Sequence, residues 1–131
     1  VAIADTHAVI WYLADDPRLS TQAKQAFADA AQNGVQIAIS AITLVEMIYL
    51  VEKERIPAER FTQLMAALDA TDSVLTEVAL TPAIARTLSR VNRQQVPDMP
   101  DRIIAATGLY LDVPVISRDG KISTSEIRTI W

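Results

Sequence analysis

Val1-Ala2-Ile3-Ala4-Asp5-Thr6-His7 opens the chain with an apolar run that stops on an acid. A short run with no polar alternation is the pattern of a strand covered on both faces, as in parallel sheets. The pattern returns at Val35–Ile39 before Ser40, within Val74–Leu80, and at Val113–Ser117 before Arg118 and Asp119. Segments of helical character separate these runs. One extends from about Thr6 to Ala14 and is broken by Asp15-Asp16-Pro17. A second is capped by Ser20 and runs to about Gln32, with Ala23, Ala26, Phe27 and Ala30 at helical spacing and Asn33-Gly34 as its stop. Further helices are expected at about Ala41–Lys53, from Pro57 to about Asp69, from Thr81-Pro82 to about Val91, and at Asp101–Leu111, with a polar loop at Gln94–Met99. Ile127–Trp131 supplies a short fifth strand. Strands alternating with helices predict an α/β fold with a helix-covered, mostly parallel sheet of four to five strands. With no repeats, no low-complexity segment and no linker, residues 1–131 read as a single domain.

The strand ends matter because ligands on open parallel sheets bind in the crevice beyond the carboxyl ends of the strands. Asp5 and Asp119 exit strands and should share one rim, within reach of Glu46 and Asp101. Clustered carboxylates repel each other and persist only when a cation or protons neutralise them. The pattern points to a divalent-metal site acting on phosphate.

Composition narrows the metal. The 131 residues include no cysteine and one histidine, which excludes thiolate sites and argues against zinc. Mg²⁺, with Mn²⁺ as its substitute, suits a supply of carboxylate oxygens. Half the residues are hydrophobic and 21% are charged, as expected of a chain with a real core. The net charge of −4 runs against the basic footprint usual for nucleic-acid binders, unless the negative charge is concentrated at a metal site. No apolar run reaches membrane-spanning length and no signal peptide is visible, so a cytoplasmic protein is expected. Val1 is not an initiator residue, and the start is expected to be trimmed or incompletely ordered.

Each candidate also has an ordinary reading. Asp5 or Thr6 could simply cap the following helix, and His7 could be a packed or surface histidine. Ser40 is the better cap of the helix at 41–53, which leaves Glu46 deeper among Leu44, Val45, Met47 and Ile48. A carboxylate there needs a partner, either a ligand or a buried ion pair. That helix is apolar on nearly every face, so it must be buried or held in an interface. Asp98 looks like the cap of the next acidic helix, leaving Asp101 in its first turn. Arg86, Arg90 and Arg93 fall at helical spacing, and a solvated face is their ordinary reading; with Arg118 they are candidate phosphate contacts. Three glycines, none in a phosphate-cradling loop, exclude a P-loop or a dinucleotide turn.

Taken in order, these residues resemble the PIN domain, particularly the VapC-type toxins of toxin–antitoxin modules. The resemblance runs nearly end to end through Asp5-Thr6-His7-x-x-x-Trp11, Ser40-x-x-Thr43-x-x-Glu46, Asp101-Arg102-Ile103-Ile104-Ala105-Ala106-Thr107 and Val115-Ile116-Ser117-Arg118-Asp119. It implies a three-layer α/β/α sandwich and a Mg²⁺- or Mn²⁺-dependent endoribonuclease with Asp5, Glu46, Asp101 and Asp119 as its acidic quartet. Thr6, Ser40, Thr43 and Ser117 would be supporting residues. It also implies a homodimer and a small antitoxin partner, either of which could cover the apolar helix. A haloacid-dehalogenase-like phosphatase would want Asp-x-Asp after the first strand, where this chain has His7. A receiver-like phospho-acceptor domain would want an acidic pair that is missing. A catalytically silent PIN-fold scaffold or RNA-binding protein is the remaining alternative, and retention of all four acids counts against it.

Overall fold

The fold is seen in a computed structural model that describes residues 1–123 and 126–131. Its elements run β1 (Ala2–Ala4), α1 (Thr6–Leu13), α2 (Thr21–Gln32), β2 (Ile37–Ser40), α3 (Ala41–Glu52), α4 (Ala58–Asp69) and β3 (Leu75–Val78), followed by α5 (Pro82–Thr87), a 3₁₀ turn (Leu88–Arg90), α6 (Met99–Leu111), β4 (Val115–Ile116) and β5 (Thr129–Ile130). The five strands form one sheet in the order β3-β2-β1-β4-β5, and every pairing is parallel. β1 pairs Ile3 with both Ala38 of β2 and Val115 of β4, so it lies where the chain reverses its direction across the sheet. That is the switch point at which a crevice opens beyond the strand ends.

Side-chain alternation along β1 splits the core in two. Ala2 and Ala4 join Ile37, Ile39 and Leu75 in packing against α1, α2, Met47 of α3 and Leu64 of α4. Ile3 faces the other way with Ala38 and Val115, against Ile84 of α5 and Ile104, Ala105 and Ala106 of α6. The result is the expected three-layer α/β/α sandwich, with both sheet faces dry. On the α6 side the approach is close. A Cβ added at Gly108 would stand 3.0 Å from Val115 and 3.2 Å from the Val113 carbonyl, so the absent side chain lets this helix settle on the sheet. Among the described residues no helix is long and apolar enough to cross a membrane.

Several expectations need correction. The helix after Thr81-Pro82 ends at Thr87 and tightens into the 3₁₀ turn, and Val91 is extended with φ −93° and ψ 116°. Arg102 accounts for this, because its guanidinium donates to the carbonyls of Leu88 and Val91, both at 3.1 Å. Arg86, Arg90 and Arg93 therefore form no stripe on one helix, and Arg90 lies 3.4 Å from Glu126 in an exposed ion pair. α6 begins two residues earlier than expected, at Met99, because Asp98 is its cap and accepts from the Asp101 amide at 3.3 Å. β4 and β5 are two-residue strands, shorter than expected. Of the two settings open to the apolar helix α3, full burial does not hold. Thr43 and Met47 are its fully buried residues, while Val45, Ile48 and Tyr49 are 46%, 44% and 59% exposed.

Candidate active site

β1 delivers Asp5 to the carboxyl rim of the sheet, and β4 delivers Ser117 beside it. Asp5 caps α1 by accepting from the Ala8 amide at 2.9 Å. The Ser117 hydroxyl nearby helps to lower the Asp5 carboxyl, and the Ser117 oxygen accepts from the Asp119 amide at 3.0 Å. One serine thus acts on two acids at the same strand end. Asp5 is buried, and that desolvation is the main reason its carboxyl sits above its ordinary range, with Ser117 and the Ala8 amide pulling the other way. The capping reading and the site reading are both true of this residue.

Glu46 arrives from the first half of α3. Thr6 donates a short hydrogen bond to its Oε1, and Thr43 lies 3.2 Å from the Thr6 hydroxyl, with both threonines buried. With Thr6 donating to the glutamate, Thr43 donates to Thr6, and the chain of hydroxyls holds one carboxylate rotamer. Desolvation raises the Glu46 carboxyl; the Thr6 bond lowers it, and repulsion from Asp98 and Asp5 raises it further. An ion-pair partner was the alternative for Glu46, and among the described residues it has none.

Asp101 stands in the first turn of α6 and is the most perturbed acid. Its carboxyl is pushed up to about 7, first by desolvation and then by repulsion from Asp98, Glu46, Asp119 and Asp5. That list of repelling groups defines the site electrostatically. Asp5, Thr6, His7, Glu46, Asp98, Asp101 and Asp119 line one cleft of about 300 Å³. The four expected acids are therefore brought together. Ser40 is not; it caps α3 by accepting from the Ile42 amide at 3.2 Å. Nor do Arg86, Arg90 and Arg93 line this cleft. Asp98, expected as a cap, caps α6 and also lines the cleft. Its signal in the sequence was the three-residue spacing to Asp101, which turns both toward one rim. His7 is exposed and lines the cleft as well.

Among the described residues no three of these side chains already converge as a finished metal cage. The donor set still fits a hard divalent cation. It is all oxygen, it is crowded by like charge, and it lines one cleft. Neutralising this repulsion is what such an ion would do on binding.

A doubly covered parallel sheet with acids at its switch point defines an α/β protein with its ligand crevice at the carboxyl ends of the strands. A family profile described as PIN domain matches residues 2–125, and the chain belongs to that family. The chain is similar to Ribonuclease VapC22 of Mycobacterium tuberculosis (strain ATCC 25618 / H37Rv), at 28% identity over 120 residues that cover 92% of this chain and 88% of the relative. Its fold is similar to that of VapBC2 from Rickettsia felis bound to a DNA fragment from their promoter. There the TM-score is 0.72 at 16% identity, over 98% of this chain and 96% of the other. A toxin–antitoxin complex from Klebsiella pneumoniae gives 0.69 at 23% identity, over 100% and 97%. At these identities the solved structures speak for the fold.

Proposed function

We propose that this protein is a metal-dependent endoribonuclease, the toxin of a toxin–antitoxin pair. The observation that carries the reading is the crowding of Asp5, Glu46, Asp98, Asp101 and Asp119 at one cleft, with Asp101 pushed up to about 7. Membership of the PIN family and the similarity to a ribonuclease support RNA as the substrate. The likeness of the fold to VapBC2 and to a toxin–antitoxin complex supports an antitoxin partner. The exposed Val45, Ile48 and Tyr49 of α3 supply an apolar surface that an antitoxin or a second copy would cover.

Asp5, Asp101, Asp119 and Glu46 would hold Mg²⁺ or Mn²⁺. When bound, such an ion supplies Lewis acidity at the phosphate and acidifies water. The chain's own residues do the rest. The Ala8 amide holds Asp5 in place, which limits the reorganisation of its carboxylate on binding. Thr6 fixes Glu46, whose desolvated carboxylate accepts the proton of the attacking water. The water oxygen forms the new bond to phosphorus as the bond to the departing ribose oxygen breaks, and the ribose oxygen takes a proton from solvent.

The test is a cleavage assay on mixed-sequence single-stranded RNA with Mg²⁺ or Mn²⁺. Fragments should accumulate with either ion and vanish when excess EDTA is added. Undiminished cleavage in EDTA, or intact RNA with every divalent ion tried, would remove the reading.

A further inference from the structure

Beside the acidic cleft is a second recess of about 370 Å³, lined by Asp5, His7, Trp11, Arg118, Asp119 and Gly120. Asp5, His7 and Asp119 line both, so the two adjoin along one rim. What the second recess adds is a cation. The Arg118 guanidinium carbon lies 4.7 Å from the centroid of the Trp11 ring. Trp11 is itself 4% exposed and packed into the core beneath α1, so it is a fixed platform.

A second arginine, Arg18, lies 5.0 Å from the same ring. Asp16 already occupies its fork, with contacts of 3.0 and 2.8 Å. Arg118 differs: among the described residues it makes no ion pair, and it is exposed. A planar guanidinium matches phosphate oxygens two at a time. Stacking on a tryptophan orients it beforehand and lowers the cost of ordering it on binding. It also stands where an RNA strand needs a positive charge, because the neighbouring acids repel its phosphates.

We infer that Arg118, positioned by Trp11, binds the phosphate of the nucleotide next to the scissile linkage in single-stranded RNA. This assignment rests on the RNA-cleaving reading and adds where the substrate strand enters the site. Arg118 touches substrate, and Trp11 is a positioning residue that acts through it.

The probe is a short fluorescein-labelled single-stranded RNA of mixed sequence, followed by fluorescence anisotropy. Binding is measured on Asp101→Asn protein, alone and combined with Arg118→Gln or Arg118→Lys, across a range of salt, with melting curves as a check on folding. Arg118→Gln should weaken binding about ten-fold and flatten the plot of log affinity against log salt by about 0.7. Arg118→Lys should keep the slope and lose part of the affinity, since the charge stays and the fork goes. Arg118→Gln protein that binds with unchanged affinity and slope overturns the assignment, as does Asp101→Asn protein that binds no RNA. Cleavage by the Asp101 protein is followed in parallel. Absent cleavage with Arg118-dependent binding removes the nuclease reading and the placement beside a scissile linkage and leaves Arg118 as an RNA phosphate contact, and intact cleavage with binding indifferent to Arg118 sinks this inference alone.

Discussion

Asp101→Asn should lower RNA cleavage by about 10³-fold or more while leaving the fold in place. The amide keeps the shape of the side chain and its place in the first turn of α6, and removes the charge on which Asp98, Glu46, Asp119 and Asp5 all act. The same variant should melt higher than the wild type in the absence of metal, because one repelling carboxylate is gone. The effect has a pH signature. A carboxyl that titrates near 3.8 when unfolded and near 7 when folded takes up a proton on folding between those values. The stability it contributes is fully present below about pH 4 and is lost as the pH rises through about 7. Metal-free wild type should therefore lose stability over that window, and Asp101→Asn should lose less. Thermal melts of both proteins across the window check this, and parallel curves would show that Asp101 is not the crowded acid.

The largest expected effect on stability lies outside the lining of the cleft. Phe27 is 2% exposed and stacks on Tyr12 with ring centroids 4.1 Å apart and planes 12° from parallel. Phe27→Ala removes that contact and leaves a cavity between α1 and α2, at a cost of about 3–5 kcal/mol. Whole-domain stabilities are about 5–15 kcal/mol, so the melting temperature should fall on the order of 10 °C. Phe27 lines neither recess, and cleavage per folded molecule should be unchanged. A melt indistinguishable from wild type would show that this contact is not formed. A lost cleavage rate in fully folded protein would tie the core to the chemistry in a way the structure does not.

Much of the sheet was legible in the sequence because doubly buried strands leave unbroken apolar runs, and Asp5 and Asp119 were legible as strand-end acids for the same reason. Asp98 was half-legible. Its capping duty follows from spacing, but its place in the cleft depends on how α6 sits against β1, which side-chain fit at Gly108 decides. The bond from Thr6 to Glu46 joins residues 40 apart and has no local signal. The platform under Arg118 likewise joins α1 to the end of β4. The arginine stripe at 86, 90 and 93 failed because Arg102 takes the carbonyls that would have continued the helix. Tertiary contact overrode local spacing there. The exposed apolar face of α3 shows the limit of hydrophobicity as a guide to burial, since the same pattern serves a core or an interface.

The claim on which everything else depends is that the acids at the β1 and β4 ends form one divalent-metal site. A thermal-melt titration with Mg²⁺ and Mn²⁺, run on wild type and Asp101→Asn side by side, tests it most directly. At about 100 times its Kd the ion should stabilise the wild type by about 2.7 kcal/mol, a shift of several degrees. Asp101→Asn should start higher and respond little. Melts of both proteins that start together and ignore saturating metal would contradict the account.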